Sequence, residues 1–381
     1  MRHRIFFAPG MFGFGRLASY DYFAHVERGL LRRFRDAGDE VEAWVADVPP
    51  TASIRRRAAR LCELVSHTFH TDETPSRVHL VGHSTGGLDA RLVASPHARL
   101  PVGDAARAWM PHLASVTTMN TPHFGTPLAS FFATVSGQRV LSALSALTFI
   151  ALSIGAPPLA IASALVVALG RVDRALGVEL RVLDRATESL LRVLDDVRGR
   201  EVRAYLDAIK GDQGAVLQLS PEAMDLFQTG VADRPGVLYQ CVVTMAPAPT
   251  PVRYARSLLK PWSAISTSLF TTLYGLTARA DERYPCAAPA IDEETERHLA
   301  RALGRVPGVR ANDGVVPILS QLWGRLAWAG HGDHLDVLGH FDGRDGDGAH
   351  VDWLTSGSGF DRARFEAMLD AVYEGMVAGG R

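Results

Sequence analysis

A glycine-rich hexapeptide constrains the folding of this 381-residue chain more than any other feature. Residues 82–87 read Gly-His-Ser-Thr-Gly-Gly and directly follow the apolar run Val78–Val81. A serine on a sharp strand-to-helix turn needs small residues two positions to either side, because a Cβ there would crowd the turn. The pattern therefore predicts a buried strand, a tight turn at Ser84 and then a helix, with Ser84 presented as a candidate nucleophile.

Apolar runs alternate with helical patterns along much of the chain. The helical patterns cover Tyr22–Asp36, Ser53–Phe69 and Gly87–Ala94. The apolar runs are Ile5–Ala8, Val41–Val45, Val78–Val81, Val116–Met119 and Leu238–Val243. Such alternation predicts an α/β fold with a mostly parallel sheet, whose strands are apolar throughout because helices flank both faces.

The segment from residue 130 to residue 200 breaks this alternation. No charged residue occurs between Val140 and Gly170, and apolar residues then recur at helical spacing as far as Val197. We therefore predict a core in two parts, residues 1–129 and 201–381, with an apolar helical insertion at residues 130–200.

Three interpretations of this insertion compete. A transmembrane hairpin is one, but its halves, Val140–Ala156 and Leu159–Gly170, fall short of the roughly 20 residues that a membrane span needs. A fixed cap packed on the core is the second. The third, which we favour, is a lid that covers a cleft in water and turns its apolar face to lipid at an interface. A large apolar lid predicts an apolar acyl substrate.

Two downstream segments supply candidate partners for the serine. Asp313 lies between Asn312 and Gly314, turn residues that suit a carboxylate presented at the end of a strand. His334 follows 21 residues later in a polar loop flanked by glycine, and it is our candidate base. Three further histidines compete with it: His350, the alternative base, and His331 and His340, which we expect on the surface or behind the base.

Charge and cysteine content argue against several classes of protein. A formal net charge of −1 provides no basic stripe for nucleic acid, so no nucleic-acid partner is expected. The 3 cysteines lie far apart, which predicts neither a disulfide framework nor a zinc site, and we assign no metal ligands. The first apolar stretch is too short for the core of a signal peptide, so cytoplasmic and exported forms both remain open.

Five motifs occur in order along the chain: Gly82–Gly87, Asn120–Pro127, Gln218–Met224, Asn312–Pro317 and His334–Asp336. Together they resemble the bacterial triacylglycerol lipases and esterases of the α/β hydrolase superfamily. The resemblance implies an α/β hydrolase fold, a mostly parallel sheet flanked by helices with an inserted lid or cap. It also implies Ser84 as nucleophile, Asp313 as acid and His334 as base, in the chain order of that superfamily.

The resemblance further implies an oxyanion hole. One donor is the backbone N–H of Thr85, and the other belongs to the loop after the first strand, where such lipases have His-Gly and this chain has Pro9-Gly10. Met11 is the matching donor and Phe12 the alternative. Because a backbone N–H acts here, the change of side chain does not by itself abolish the hole.

A structural calcium ion is a further implication of the resemblance, while no cofactor is expected to be required. Asp336 matches a position that helps bind calcium in some of these lipases. Calcium takes six or more oxygen ligands, and the upstream candidates are Asp281 and Asp292. The alternative is that Asp336 is an ordinary surface aspartate.

The sequence thus predicts a serine carboxylic ester hydrolase that cleaves acylglycerols or similar medium- and long-chain esters through an acyl-enzyme on Ser84. A short-chain esterase, a polyester depolymerase or an acyltransferase would use the same residues. A different class, a membrane-associated binding protein that keeps the fold without turnover, would leave Ser84 unreactive. The expected partners are a lipid or ester substrate and a lipid interface contacted by the lid.

Overall fold

A computed structural model of the chain describes residues 1–11, 16–17, 20–69, 76–134, 137–138, 140–142, 144–145, 196–251, 261–341, 352 and 354–379. Its strands are β1 (Arg2–Ala8), β2 (Arg16–Leu17), β3 (Tyr20–Asp21), β4 (Glu40–Val45), β5 (Ser76–His83), β6 (Leu113–Met119), β7 (Leu238–Met245) and β8 (Arg325–His331). Its α-helices are α1 (Ala24–Asp36), α2 (Ile54–Thr68), α3 (Thr85–Ala94), α4 (Pro127–Phe132), α5 (Asp196–Gly211), α6 (Gly214–Gln218), α7 (Pro221–Gly230), α8 (Pro261–Thr277), α9 (Glu293–Leu303) and α10 (Arg362–Ala378).

Six of these strands form one parallel sheet in the order β4-β1-β5-β6-β7-β8, and β2 pairs with β3 in a separate antiparallel ribbon. The α/β prediction is confirmed, as are all five predicted strands and all three predicted helices, apart from small differences in their ends. Strand β8 was not predicted. It lies at an edge of the sheet with several half-exposed residues, so its sequence lacks a continuous apolar run.

The register brings the carboxyl ends of the strands together. Ala8 pairs with Gly82 across β1 and β5, and His83 pairs with Met119 across β5 and β6. On the other side of the sheet, Met245 at the end of β7 pairs with His331 at the end of β8. Loops that leave these ends therefore meet at one edge, which is where open α/β sheets bind their ligands.

Apolar layers cover both faces of the sheet. On one face, Phe34 of α1 and Leu369 of α10 are buried in one cluster, and on the other face Leu61 of α2 and Val93 of α3 are buried in a second. A third cluster, here named the edge cluster, adjoins the carboxyl ends. It contains Met11, Leu88, Leu128, Phe132, Val216 and Phe270, with partly buried Val315 and Leu335 packed against it.

Most of the predicted insertion at residues 130–200 lies outside the described residues, so the choice between lid, cap and hairpin stays a prediction. The described part of its first apolar half includes Val140, Leu141 and Leu144, which are buried in the edge cluster. Within the ranges that the structure describes, no helix combines the length and the apolar character needed to cross a membrane.

Candidate active site

Ser84 occupies the junction between β5 and α3, as the sequence predicts. β5 ends at His83 and α3 begins at Thr85, and Ser84 between them has φ 54° and ψ −128°. A positive φ is costly for a residue with a side chain and is typical of strained functional turns. The Ser84 N–H donates to the Met119 carbonyl oxygen at 2.9 Å, which ties the turn to β6.

Glycines make this turn possible by letting backbone approach backbone. A Cβ at Gly82 would overlap the backbone of Gly86, and a Cβ at Gly86 would overlap the carbonyl of Ala8. A Cβ at Gly10 would lie 2.8 Å from the Cβ of Ser84. The loop after β1 therefore packs directly against the serine. The predicted need for small residues two positions to either side of Ser84 is confirmed for Gly82 and Gly86.

Asp313 and His334 form a buried hydrogen-bonded pair. His334 Nδ1 lies 2.8 Å from Asp313 Oδ2, and both side chains are almost wholly buried. Since an ionised carboxylate only accepts hydrogen bonds, Nδ1 carries the proton and Nε2 is left as the basic nitrogen. The other carboxylate oxygen, Oδ1, accepts from the backbone N–H groups of Val315 and Val316 at 2.8 and 2.7 Å.

The position of Asp313 in the fold differs from the prediction. It follows no strand: it lies in the loop between α9 and β8, where Asn312 forms an isolated bridge with Pro317. The Asn312 carbonyl accepts from the N–H of Ala246, so the loop is attached to the end of β7. A side-chain turn, with the Asn312 Oδ1 accepting from the N–H of Gly314, presents the carboxylate instead of a strand end.

Gln321 is a site residue that the sequence analysis did not find. Its Nε2 donates to Asp313 Oδ2 at 3.2 Å, beside the bond from His334, and its Oε1 accepts from the N–H of Thr244 at 2.9 Å. It therefore anchors the acid to β7. A lone glutamine in a short apolar segment carries no pattern from which this contact could be predicted.

The loop that would supply an oxyanion donor is held by a buried arginine. Arg57 of α2 donates to the carbonyl oxygens of Pro9, Pro49 and Pro50 and forms an ion pair with Asp89 of α3, with Nη2 2.9 Å from Oδ2. Burial raises the pKa of Asp89 to about 6, against the opposing effect of Arg57.

Both predicted oxyanion donors are close to Ser84 in the chain or in space. Thr85 is fully buried at the first position of α3, and Met11, 7% exposed, follows Gly10, which packs against Ser84. Phe12, the alternative donor, lies outside the described residues. The roles of Met11 and Thr85 therefore stay predictions.

The competing histidines occupy different places. His331 ends β8, and His340 is buried with its ring edge-on to that of His25 at 6.3 Å. His350 lies outside the described residues. His334 is thus the described candidate that the structure places against Asp313.

Each of the three aspartates predicted to bind calcium interacts with a different partner within the protein. Asp281 is exposed and paired with Arg283, with Oδ2 2.7 Å from Nη2, while Asp292 caps α9. Asp336 is buried, so the surface alternative is wrong; it accepts from the N–H of Asp333, and burial raises its pKa to about 8. Over the described ranges, no three His, Cys, Asp or Glu residues are grouped to hold a metal ion. Calcium binding stays an untested prediction, and these three carboxylates do not by themselves form a site for it.

Comparison with known proteins agrees with this geometry. No family model matches the chain. It is 33% identical to a triacylglycerol lipase of Vibrio cholerae over 128 residues, 34% of this chain and 35% of that protein. It is 30% identical to a triacylglycerol lipase of Pseudomonas fragi over 151 residues, 38% of this chain and 44% of that protein. The chain thus matches less than half the length of these curated relatives.

Solved structures extend the likeness over the whole fold. Lipase 1 from Pelosinus fermentans has a TM-score of 0.52 at 15% identity and covers 98% of both chains. EstA from Clostridium botulinum has a TM-score of 0.51 at 17% identity, covering 98% of this chain and 87% of its own.

The strand order of the sheet, the sharp turn at Ser84 and the hydrogen-bonded pair of Asp313 and His334 are together typical of the α/β hydrolase fold. In sequence, parts of the chain are similar to two bacterial triacylglycerol lipases, and its fold is similar to those of a bacterial lipase and of EstA.

Proposed function

We propose that the chain hydrolyses carboxylic esters through an acyl-enzyme on Ser84. The observation that carries the proposal is the buried pair of Asp313 and His334, whose imidazole packs at 4.7 Å between ring centroids against His83, the residue before the serine. A serine on a strained strand-to-helix turn, next in sequence to a residue that packs against an oriented imidazole, supports the activation of its hydroxyl for attack on a carbonyl.

The hydrogen bond between Asp313 and His334 supports the following mechanism. His334 Nε2 takes the proton of the Ser84 hydroxyl as Oγ attacks the ester carbonyl, and Asp313 stabilises the imidazolium that forms. The N–H groups of Met11 and Thr85 bind the oxyanion. His334 then gives the proton to the leaving alcohol. A water molecule, deprotonated by the same Nε2, attacks the acyl-enzyme, and Nε2 returns this proton to Ser84 Oγ as the bond between Oγ and the acyl carbon breaks and the acid leaves.

An apolar acyl chain is the substrate that the surroundings favour. Val315, two residues after the acid, and Leu335, directly after the base, are only partly buried where they pack against the edge cluster, so they offer apolar surface near the site. Burial of methylene groups against such side chains stabilises a bound chain by about 0.8 kcal/mol for each CH₂. We propose medium- or long-chain esters such as acylglycerols, with the insertion at residues 130–200 as a lid that contacts lipid.

Hydrolysis of nitrophenyl esters with two to sixteen acyl carbons tests the proposal. We expect the Ser84→Ala variant to lose activity by about 10⁶-fold, because the covalent route is removed. Ser66→Ala, a serine of α2 outside the site, is the matched control and is expected to keep full activity. Wild-type rates are expected to rise with chain length and above the aggregation point of the substrate.

Two results would contradict the proposal at different levels. Hydrolysis that persists in Ser84→Ala would remove the serine from the mechanism. A preference of the wild type for short, soluble esters would reject the lipid substrate and favour a short-chain esterase with a fixed cap.

A further inference from the structure

We propose that His83 is a positioning residue, which holds the base His334 in register with Ser84 through a hydrogen bond to its backbone. The inference rests on the proposed function, since it assigns a role in the same reaction. Nothing in the chemistry of ester cleavage requires a histidine before the nucleophile, so its place in the site needs a separate explanation.

The backbone of His334 is held on both sides. Its N–H donates to the carbonyl oxygen of Asp313 at 3.0 Å, and its own carbonyl oxygen lies 2.8 Å from His83 Nε2. His334 is thereby held to Asp313 through its backbone N–H, and to His83 at the end of β5 through its carbonyl oxygen. Because Ser84 directly follows His83, this second bond is a short link between the hydroxyl and the imidazole.

The protonation state of His83 follows from its partners. A carbonyl oxygen only accepts, so Nε2 carries the proton, and Nδ1 must accept from the hydroxyl of Tyr22 at 2.7 Å. Burial lowers the pKa of His83 well below its ordinary value, and nearby His334 and His340 lower it further. The ring is therefore neutral at working pH, and it places no charge beside the imidazolium that forms on His334 during the reaction.

Tyr22 extends the network to the loop that precedes it. The side chain is buried, and a Cβ at Gly10 would lie 3.1 Å from its hydroxyl and 2.8 Å from the Cβ of Ser84. The loop after β1, the nucleophile and the base loop thus meet around the Tyr22 to His83 hydrogen bond. Misplacing reacting groups by about 1 Å costs up to about 10²-fold in rate, which sets the scale expected for this network.

Substitution of His83 by glutamine or by asparagine tests its two hydrogen bonds separately. In His83→Gln the amide nitrogen reaches the place of Nε2 and still donates to the His334 carbonyl. In His83→Asn the side chain is too short for that bond but still meets Tyr22. His79→Asn is the matched control, because His79 is a fully buried histidine on the same strand that contacts His3 and Ser115 instead of the site.

The readouts are the rate constant for labelling of Ser84 by a fluorophosphonate, and kcat and KM for a nitrophenyl ester. The enzyme concentration used to calculate kcat is the concentration of Ser84 that can be labelled. We expect His83→Asn to lower the labelling rate and kcat by about 10- to 100-fold with KM nearly unchanged. His83→Gln is expected to recover most of that loss, and His79→Asn to lower stability while leaving both rates per labelled serine as in the wild type.

Equal losses in the asparagine and glutamine variants, or a loss that disappears when rates are expressed per labelled serine, would overturn the positioning role. The proposed function fails separately: a wild-type protein whose serine is labelled but which cleaves no ester would refute ester hydrolysis. The labelling rates of the variants would still decide the role of His83.

Discussion

At the scale of single residues, the site depends on glycines, which have no side chain and let the backbone segments around Ser84 pack closely. The position of Ser84 on the strand-to-helix turn could be predicted, because the need for small residues at Gly82 and Gly86 is visible in the sequence itself. Gln321 could not be predicted, because its contact with Asp313 arises only when the loop folds back on β7.

Gly86→Ala tests the steric argument. The added methyl would overlap the Ala8 carbonyl, so we expect a loss of about 1–3 kcal/mol in the free energy of unfolding, together with slower labelling of Ser84. Gly211→Ala is the matched control at the last residue of α5, where a Cβ meets open space, and it is expected to be neutral or slightly stabilising. Urea unfolding measures both, and equal stabilities of the two variants would refute the argument.

Gln321→Glu tests the anchoring of the acid. The change replaces a hydrogen-bond donor by a second carboxyl group beside Asp313 Oδ2 at nearly constant volume. Like charges at this distance disfavour ionisation of the pair, so we expect kcat/KM to fall by about 10- to 100-fold at neutral pH. Gln213→Glu, at the start of α6, provides the control. Activity equal to that of the control would show that Gln321 does not influence the acid.

At the scale of secondary-structure elements, buried strands were predictable and the edge strand was not. Strands β1, β5 and β6 are buried along most of their length because helices cover them, and each contains apolar residues that mark it, whereas β8 alternates irregularly at the edge. Asp313 shows a related limit. Its turn residues were recognised, but the sequence could not show that a loop, attached sideways to β7, would replace a strand end.

A polar network crosses three central strands. His3 Nδ1 of β1 lies 2.9 Å from His79 Nε2 of β5, whose Nδ1 lies 2.8 Å from the Ser115 hydroxyl of β6. Burial lowers the pKa of His3 to about 4, and this effect outweighs the attraction of Asp39. His3 therefore stays neutral in the folded protein down to a pH at which an unfolded chain has already bound the proton.

This difference links stability to pH. Between about pH 6.5 and pH 4 the unfolded state binds more protons at His3, so the contribution of His3 to stability is lost as the pH falls through that window. We expect the difference in unfolding free energy between wild type and His3→Gln to shift against the wild type by about 2 kcal/mol from pH 7 to pH 5. Urea unfolding at several pH values measures it, and a constant difference would exclude the linkage.

At the scale of the whole molecule, the sheet gathers residues from distant parts of the chain. Ser84, Asp313 and His334 could be singled out because short motifs mark each of them, and the shared edge of a parallel sheet explains how the segments that carry them come together. The function of the insertion could not be predicted in the same way. An apolar composition is compatible with a lid, a cap and a hairpin, and although the length of the apolar halves argues against the hairpin, the environment of the segment decides among them.

Ser84 and His334, its proposed base, are far apart in the sequence and are therefore synthesised at different times. His83 and His334 are 251 residues apart, so at about 5–20 residues per second a ribosome needs on the order of 10–50 s to make the base after the nucleophile. Under the proposed mechanism, Ser84 has no base to activate it during that interval. Ester cleavage by this chain would then begin only after β8 and the loop that carries His334 have been made, and no shorter, partly made chain would contain the complete site.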